Sequence, residues 1–271
     1  LSFHKGERLA EKVTLPHTWN AVDGMDGNGS YLRTTGVYRC TFLKPEQPLE
    51  GGRVYVEVLA AALAAVVKVN GTVAVTHEGG FSAFRADITD LCKEGNNEMT
   101  IEVSNEDTPS MYPASADFTF YGGLYRGVNL ISVPHTHFDL DYYGGSGIKV
   151  TPKPTEDGGA TFEIESFVTN QEDCFTVMYS IEDACGCEVA AAVRPADDTA
   201  VTIYVPDAKL WSMDEPNLYT VVARLQKNNE TYDEIHVNTG VRSYSVTSDG
   251  GFFINNKAVS LRGVSRHQDR L

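Results

Sequence analysis

The chain has 271 residues, of which 42% are hydrophobic, and a formal charge of −15 from 37 acidic and 22 basic side chains. This length suits two domains with ample room for a buried core. The acidic balance argues against nucleic acid and anionic membrane surfaces, because their phosphates would be repelled. No apolar run is long enough to span a bilayer, since Glu57 and Lys68 interrupt the best one, residues 54–69.

Cysteine usage bears on location and on metal binding. The five cysteines have no framework spacing, so reduced thiols and a cytoplasmic location are the simplest account. No signal peptide is visible, because residues 1–8 have charge but no apolar core. Since the chain begins without Met, secretion or export to the periplasm stays open. Cys185-Gly186-Cys187 could chelate a soft metal, but no second Cys or His pair lies nearby. We therefore expect no metal site in this chain.

Strand signals dominate from the N-terminus onward. Residues 54–59 are rich in β-branched and aromatic side chains, and residues 66–75 read as two strands around Asn70-Gly71. Asn and Gly tolerate the positive φ angles of a type I′ turn, so this pattern predicts a β-hairpin. Helical periodicity is nearly absent, and residues 88–91 predict at most one turn.

Strands continue through the second half. Residues 161–168 alternate between apolar and polar side chains, which predicts a strand with one solvated face. A second hairpin is predicted at residues 249–259. We expect the apolar residues 252–254 to pack partly against the preceding domain, because they need cover.

Turn signals between short strands divide the chain into three parts. The spacing predicts a first β-sandwich over residues 1–134 and a second, of immunoglobulin-like length, over residues 135–242. Residues 243–271 form an incomplete third piece. Its last strand carries Arg, His and Asp at its C-terminal end, which is typical of the rim of a barrel active site.

A series of short motifs occurs in order along nearly the whole chain. They are Leu15-Pro16-His17-Thr18-Trp19-Asn20, Gly36-Val37-Tyr38-Arg39, Val67-Lys68-Val69-Asn70-Gly71, residues 77–84 and 87–90, Tyr121-Gly122-Gly123-Leu124-Tyr125-Arg126, and residues 210–212, 216–219, 240–242 and 252–269. Each motif is weak by itself, but their joint order and spacing are specific. Together they resemble glycoside hydrolase family 2, which contains β-galactosidases, β-glucuronidases and β-mannosidases.

The resemblance implies an all-β fold and a carbohydrate substrate. It implies a jelly-roll sugar-binding domain at 1–134, an immunoglobulin-like β-sandwich at 135–242, and the truncated start of a (β/α)₈ catalytic barrel, a TIM barrel, at 243–271. Family members use two glutamates for retaining hydrolysis, and both lie in later barrel strands. We therefore expect no catalytic residue and no activity in this chain alone, with the missing barrel and the sugar as its partners.

The sugar specificity is predicted less directly. Arg266-His267-Gln268-Asp269-Arg270 is more similar to bacterial β-galactosidases, because β-glucuronidases tend to carry Glu where Gln268 stands. A β-glucuronidase, a β-mannosidase or a stand-alone carbohydrate-binding module are the alternatives. The resemblance implies no cofactor in this stretch, although the intact enzyme could hold a divalent or monovalent cation and could form a homo-oligomer.

Three residues match family positions that face the sugar. His267 and Asp269 end the first barrel strand, where a donor and an acceptor suit vicinal hydroxyls. Asp117, nine residues before Arg126, matches a β-galactosidase position where the first domain reaches into the active site to hold a sugar hydroxyl. The alternatives are that His267 and Asp269 pair with each other or cap the loop, and that Asp117 is an ordinary loop aspartate.

Overall fold

The computed structural model describes residues 1–5, 11–23, 31–46, 51–107, 120–170 and 174–265. Within these ranges the regular secondary structure consists of β-strands and a 3-10 turn at Thr89–Leu91, which matches the one predicted turn. It divides into two compact units, one containing Leu1–Val133 and the other Pro134–Val264. Among the described residues, no helix has the length and apolarity needed to cross a membrane.

The first unit is built from two antiparallel sheets. The larger sheet has the spatial order β2 (Glu11–Lys12), β1 (Ser2–Lys5), β3 (Thr35–Leu43), β8 (Asn96–Ser104), β5 (Ala64–Val69) and β6 (Thr72–Glu78). The smaller sheet has the order β7 (Phe84–Asp87), β4 (Arg53–Val58) and β9 (Val128–Val133). Val54, Val56 and Val58 of the smaller sheet share one apolar core with Val67 and Ile101 of the larger sheet, so the unit is a β-sandwich.

The predicted hairpin at Asn70-Gly71 is confirmed. Both residues have positive φ, 50° and 84°, as a type I′ turn requires. The Asn70 side chain also donates to the Leu91 carbonyl at 2.8 Å and accepts from the Glu98 backbone N–H at 3.1 Å. Asn70 therefore forms the turn and also hydrogen-bonds the hairpin to the segments that contain Leu91 and Glu98.

The second unit contains three sheets that form a sandwich and one further sheet. Their orders are β11 (Ile148–Pro154), β12 (Ala160–Ser166), β16 (Ala200–Val205); β15 (Glu188–Pro195), β14 (Thr176–Glu182), β17 (Tyr219–Lys227), β18 (Glu230–Thr239); and the pair β10 (His137–Phe138), β13 (Val168–Thr169). Phe162 and Ile164 of β12 pack in one core with Val177 of β14 and Val221 of β17. The alternation predicted for residues 161–168 is confirmed over β12, where Glu163 faces outward and pairs with a lysine.

A three-stranded sheet closes the second unit. It consists of β19 (Tyr244–Thr247), β20 (Gly251–Ile254) and β21 (Lys257–Val259), with the predicted hairpin turning at Asn255 and Asn256, both of positive φ. Asn255 Nδ2 donates to the Trp211 carbonyl at 2.9 Å, which attaches the hairpin to the second sandwich. The expected packing of residues 252–254 against that sandwich stays a prediction.

The predicted all-β chain of two β-sandwiches is thus confirmed. The barrel strand stays a prediction, since residues 261–265 have no regular secondary structure and the remainder of that strand lies outside the described residues. The division at residues 1–134, 135–242 and 243–271 likewise stays a prediction.

Candidate functional site

The three predicted sugar-contacting residues, Asp117, His267 and Asp269, lie outside the described residues. The structure does describe the point at which the segment carrying Asp117 rejoins the first sandwich. That point, at Phe120, belongs to a partly buried group that we call the loop-root network. It consists of the side chains of Asn20, Asp23 and Asn105 and the backbone of Leu32, Thr34, Phe120 and Gly122.

Asn105 is the centre of the loop-root network. Its side chain follows directly on β8 and is fully buried. Its Oδ1 accepts from the Thr34 backbone N–H at 2.8 Å, and its Nδ2 donates to the Phe120 carbonyl at 2.8 Å and the Leu32 carbonyl at 3.1 Å. A buried amide with both ends bonded fixes three chain segments at once.

Asn20 holds the second half of the loop-root network. Its Oδ1 accepts from the Gly122 N–H at 2.7 Å, and its Nδ2 donates to Asp23 Oδ2 at 2.6 Å. Asp23 Oδ2 in turn accepts from the Leu32 N–H at 2.8 Å. The chain therefore leaves the network at Asp23 and returns to it at Leu32, with both ends of that connection bonded to buried groups.

An aromatic layer lies under the loop-root network. The Trp19 and Phe3 rings stack with centroids 5.7 Å apart. A Cβ added to Gly122 would lie 2.0 Å from Trp19 Cζ2, and one added to Gly36 would lie 2.6 Å from the Phe3 ring. Glycine is therefore required at both positions by close approach, since any side chain would overlap an aromatic ring.

His17 and Tyr38 form a polar pair within this aromatic layer. His17 Nδ1 and the Tyr38 hydroxyl are 2.8 Å apart, and the Leu124 backbone N–H donates to the same hydroxyl at 3.3 Å. Burial raises the pKa of Tyr38 to about 12 and lowers the pKa of His17. Both rings are therefore favoured as neutral groups, which suits a structural role better than proton transfer.

Arg33 makes a cation–π contact with Phe120, a member of the loop-root network. Its guanidinium carbon lies 4.4 Å from the centroid of the Phe120 ring, which is a cation–π distance. Because Phe120 is three residues after Asp117, this contact further fixes the C-terminal end of the segment that carries the predicted sugar-contacting aspartate.

A separate ionic group lies on the smaller sheet of the first unit. Arg85 Nη2 is 2.7 Å from Glu57 Oε1, Arg85 Nε donates to the same oxygen at 2.9 Å, and Asn129 donates to Glu57 Oε2 at 2.8 Å. Both oxygens of this largely buried carboxylate are thus bonded within the fold. The described residues contain no group of three or more His, Cys, Asp or Glu side chains that could hold a metal ion.

The loop-root network is suited to positioning rather than to bond cleavage. Asn20 and Asn105 are buried, and their amide groups are bonded to other parts of the chain. Asn20 belongs to a motif that is visible in the sequence, but no pattern there predicts a role for either amide. Asn105 gives no local signal, because its partners Thr34 and Asn20 are 71 and 85 residues away. The sequence feature most closely related to the loop-root network is that Trp19-Asn20 and Gly122 each lie within one of the motifs.

Sequence similarity to known proteins identifies the family. The profile described as "Glycosyl hydrolases family 2, sugar binding domain" matches residues 8–134, and that described as "Glycosyl hydrolases family 2" matches residues 146–242. A curated "Putative beta-glucuronidase" of Formosa agariphila is 30% identical over 96% of this chain and 31% of its own length. A "Beta-galactosidase" of Thermoanaerobacter pseudethanolicus is 29% identical over 98% of this chain and 36% of its own length.

Two solved structures are similar over the whole chain. The crystal structure of an FMN-binding β-glucuronidase from Faecalibacterium prausnitzii L2-6 is 81% identical with a TM-score of 0.96, and the match covers 100% of this chain and 42% of that one. The structure of a putative β-galactosidase from Bacteroides fragilis is 31% identical with a TM-score of 0.90, over 99% of this chain and 44% of that one.

This chain therefore spans less than half the length of the relatives it matches. Its two sandwiches correspond to the two matched profiles, in the same order along the sequence. The chain belongs to glycosyl hydrolase family 2.

Proposed function

We propose that this chain is the N-terminal scaffold of a retaining glycoside hydrolase that removes terminal β-D-glucuronic acid from its substrates. The observation that carries this proposal is the 81% identity, over all of this chain, to a protein described as a β-glucuronidase. Glucuronide replaces galactoside as the leading hypothesis for the substrate. The preference for galactoside depended on Gln268 and on the match of Asp117 to a β-galactosidase position.

In this proposal the chain binds and positions the substrate, and the remainder of the protein breaks the glycosidic bond. Retaining hydrolysis needs two carboxyl groups about 5 Å apart, one as acid and base and one as nucleophile. The family resemblance assigns both to later barrel strands. Asp117, His267 and Asp269 would bind sugar hydroxyls, and the loop-root network supports this role for Asp117 by holding Phe120, three residues away.

The test is hydrolysis of aryl glycosides by the complete protein. We expect clear turnover of an aryl β-D-glucuronide and much slower turnover of the matched β-D-galactoside, which lacks the carboxylate. The chain of residues 1–271, assayed at the same concentration, should give no turnover above buffer. Preferential hydrolysis of the galactoside by the complete protein would refute the glucuronide assignment.

A β-galactosidase is the second candidate. The pattern Arg266-His267-Gln268-Asp269-Arg270 favours it, and relatives bearing that name match nearly all of this chain. A Gln268→Glu variant of the complete protein separates the two hypotheses further. If position 268 reports specificity, this change should shift the ratio of glucuronide to galactoside turnover, whereas an unchanged ratio would remove the sequence argument for galactose.

A stand-alone carbohydrate-binding module is disfavoured by the length of the relatives. Titration calorimetry of residues 1–271 with galactose, lactose and glucuronic acid tests it, because binding by this chain alone would support the module. FMN binding is a property of the 81% identical protein from Faecalibacterium prausnitzii. That residues 1–271 hold no cofactor stays a prediction, which the visible absorbance of the purified chain tests.

A further inference from the structure

The turn that joins β14 and β15 carries two exposed thiols. Cys185 and Cys187 lie on either side of Gly186, between the end of β14 at Glu182 and the start of β15 at Glu188, and both thiols are free. The part of the chain that the structure describes contains no group of three or more metal-ligating side chains. The pair therefore lacks the further ligands of a structural metal site, and its chemistry is that of two neighbouring thiols.

A single carboxylate oxygen holds the backbone of the two cysteines together. Asp183 Oδ1 accepts from the Cys185 backbone N–H at 2.8 Å and from the Cys187 backbone N–H at 3.0 Å. The two nitrogens are therefore no farther apart than the sum of these two distances, which is less than the roughly 7 Å that two extended residues span. A turn this tight favours a Cα separation within the range that a disulfide bridges, about 4.4–6.8 Å.

Gly186 leaves the turn free to adjust to such a bridge. Its φ of 77° is in the left-handed region, which glycine adopts without strain. A Cβ added to Gly186 would meet no atom within 4 Å, so the turn borders open space at this point. Because Cys185 and Cys187 are both exposed, their side chains can reorient toward each other without displacing the core of the second unit.

The other three cysteines differ from this pair in reactivity or in position. Burial raises the pKa of Cys40 and of Cys92, which lowers the fraction of reactive thiolate at each. Cys174 is exposed, but it precedes β14 whereas the pair follows that strand. A seven-residue strand separates its two ends by about 20 Å, so Cys174 is too distant to bridge either member of the pair.

We propose that Cys185 and Cys187 are a reversible redox site, which closes to an internal disulfide by exchange with a small disulfide such as oxidised glutathione. One cysteine thiolate attacks the small disulfide, which forms a mixed disulfide and releases a first small thiol. The other thiolate attacks the protein sulfur of that mixed disulfide and releases a second small thiol. Two electrons pass from the cysteine pair to the small disulfide, and the two cysteine protons end on the released thiols.

The reverse exchange reopens the site. Exposed disulfides are the labile ones in proteins, and they are reduced by an excess of small thiol. The site lies in the second unit and involves no residue assigned to sugar binding, so it is independent of which glycoside the complete protein cleaves.

Mass spectrometry of the complete protein tests the proposal without any substitution. The protein is equilibrated with glutathione mixtures, the remaining thiols are blocked, and cleavage after Glu182 and Glu188 releases residues 183–188, which contain both cysteines and no other thiol. The internal disulfide should increase with the ratio of oxidised glutathione to the square of reduced glutathione, as exchange with two thiols requires. At about 0.1 mM reduced glutathione it should exceed the mixed disulfide by at least about tenfold, because a tethered thiol has an effective concentration in the millimolar range.

Two variants provide matched comparisons. Cys187→Ser should leave Cys185 as a stable mixed disulfide, since the second thiol is gone. Cys174→Ser, at an exposed thiol outside the pair, should leave the redox transition of residues 183–188 unchanged. In the unsubstituted protein, Cys174 itself should form only a mixed disulfide.

Three results would overturn the proposal. The first is a mixed disulfide that persists on Cys185 or Cys187 in the unsubstituted protein instead of an internal bridge. The second is the absence of oxidation at the pair in mixtures that modify Cys174. The third is a bridge between two copies of the protein, recognised because its yield increases with protein concentration.

Discussion

Replacing Asn105 by Ala should strongly destabilise the first sandwich. The change removes two short bonds to buried backbone, those with the Thr34 N–H and the Phe120 carbonyl, both 2.8 Å long. The Leu32 carbonyl loses one bond but keeps that from Asn20 Nδ2 at 2.9 Å. Each buried group that loses its partner costs about 1–3 kcal/mol, so we expect a loss of about 3 kcal/mol in the free energy of unfolding.

The two tryptophans allow this loss to be assigned to one unit. Trp19 lies in the first unit and Trp211 in the second, so Trp211→Phe leaves fluorescence that reports the first sandwich. Urea titration in that background should show the loss, with a fall in melting temperature of about 10 °C. Asn96→Ala, an exposed amide on the same strand, is the control. A loss below about 1 kcal/mol for Asn105→Ala would refute the assigned role of the network.

Three further predictions concern packing, charge and pH. Gly122→Ala should destabilise the first unit by about 2–3 kcal/mol through overlap with Trp19, whereas Gly127→Ala, whose Cβ would be 3.5 Å from its nearest neighbour, should be nearly neutral in the same urea titration. Glu57→Gln should cost about 3 kcal/mol because it breaks the largely buried ion pair between Glu57 and Arg85. Glu163→Gln, which breaks the exposed pair with Lys153, should cost less than about 1 kcal/mol. Burial raises the pKa of Asp233, so its contribution to stability is present below the unfolded-state pKa of about 4 and is lost as pH rises through the higher folded value. The chain should therefore gain stability relative to Asp233→Asn as pH falls from about 7 to about 4, and parallel pH profiles in thermal melts would contradict this.

Features encoded by neighbouring residues were predictable from sequence. Asn70-Gly71 specifies its own turn through positive φ angles, and the alternation along β12 specifies which side chains face the core. The loop-root network was not predictable, because Asn105 meets its partners only after the first sandwich has formed. The exposure of Val246 was not predictable either, since its alternating pattern is that of a strand with one covered face.

The candidate site also combines residues that the sequence could predict with contacts that only the folded structure shows. Asp117, His267 and Asp269 were selected through a family resemblance, and their sugar contacts stay predictions. The described residues show only that Phe120, three residues after Asp117, is held by the bond from Asn105 and the contact with Arg33. Sequence alone could name the aspartate but could not name Asn105, the amide that bonds the Phe120 carbonyl.

The loop-root network also has an evolutionary consequence. Both ends of the connection between Asp23 and Leu32 are fixed by Asn20. When the ends of a loop are held by the scaffold, doubling the number of residues between them costs only about 0.6 kcal/mol of closure entropy. Loops of different length and composition can therefore be exchanged at this point without altering the core beneath them. Such exchange offers a route by which the same pair of sandwiches could serve in relatives that are named for different sugars.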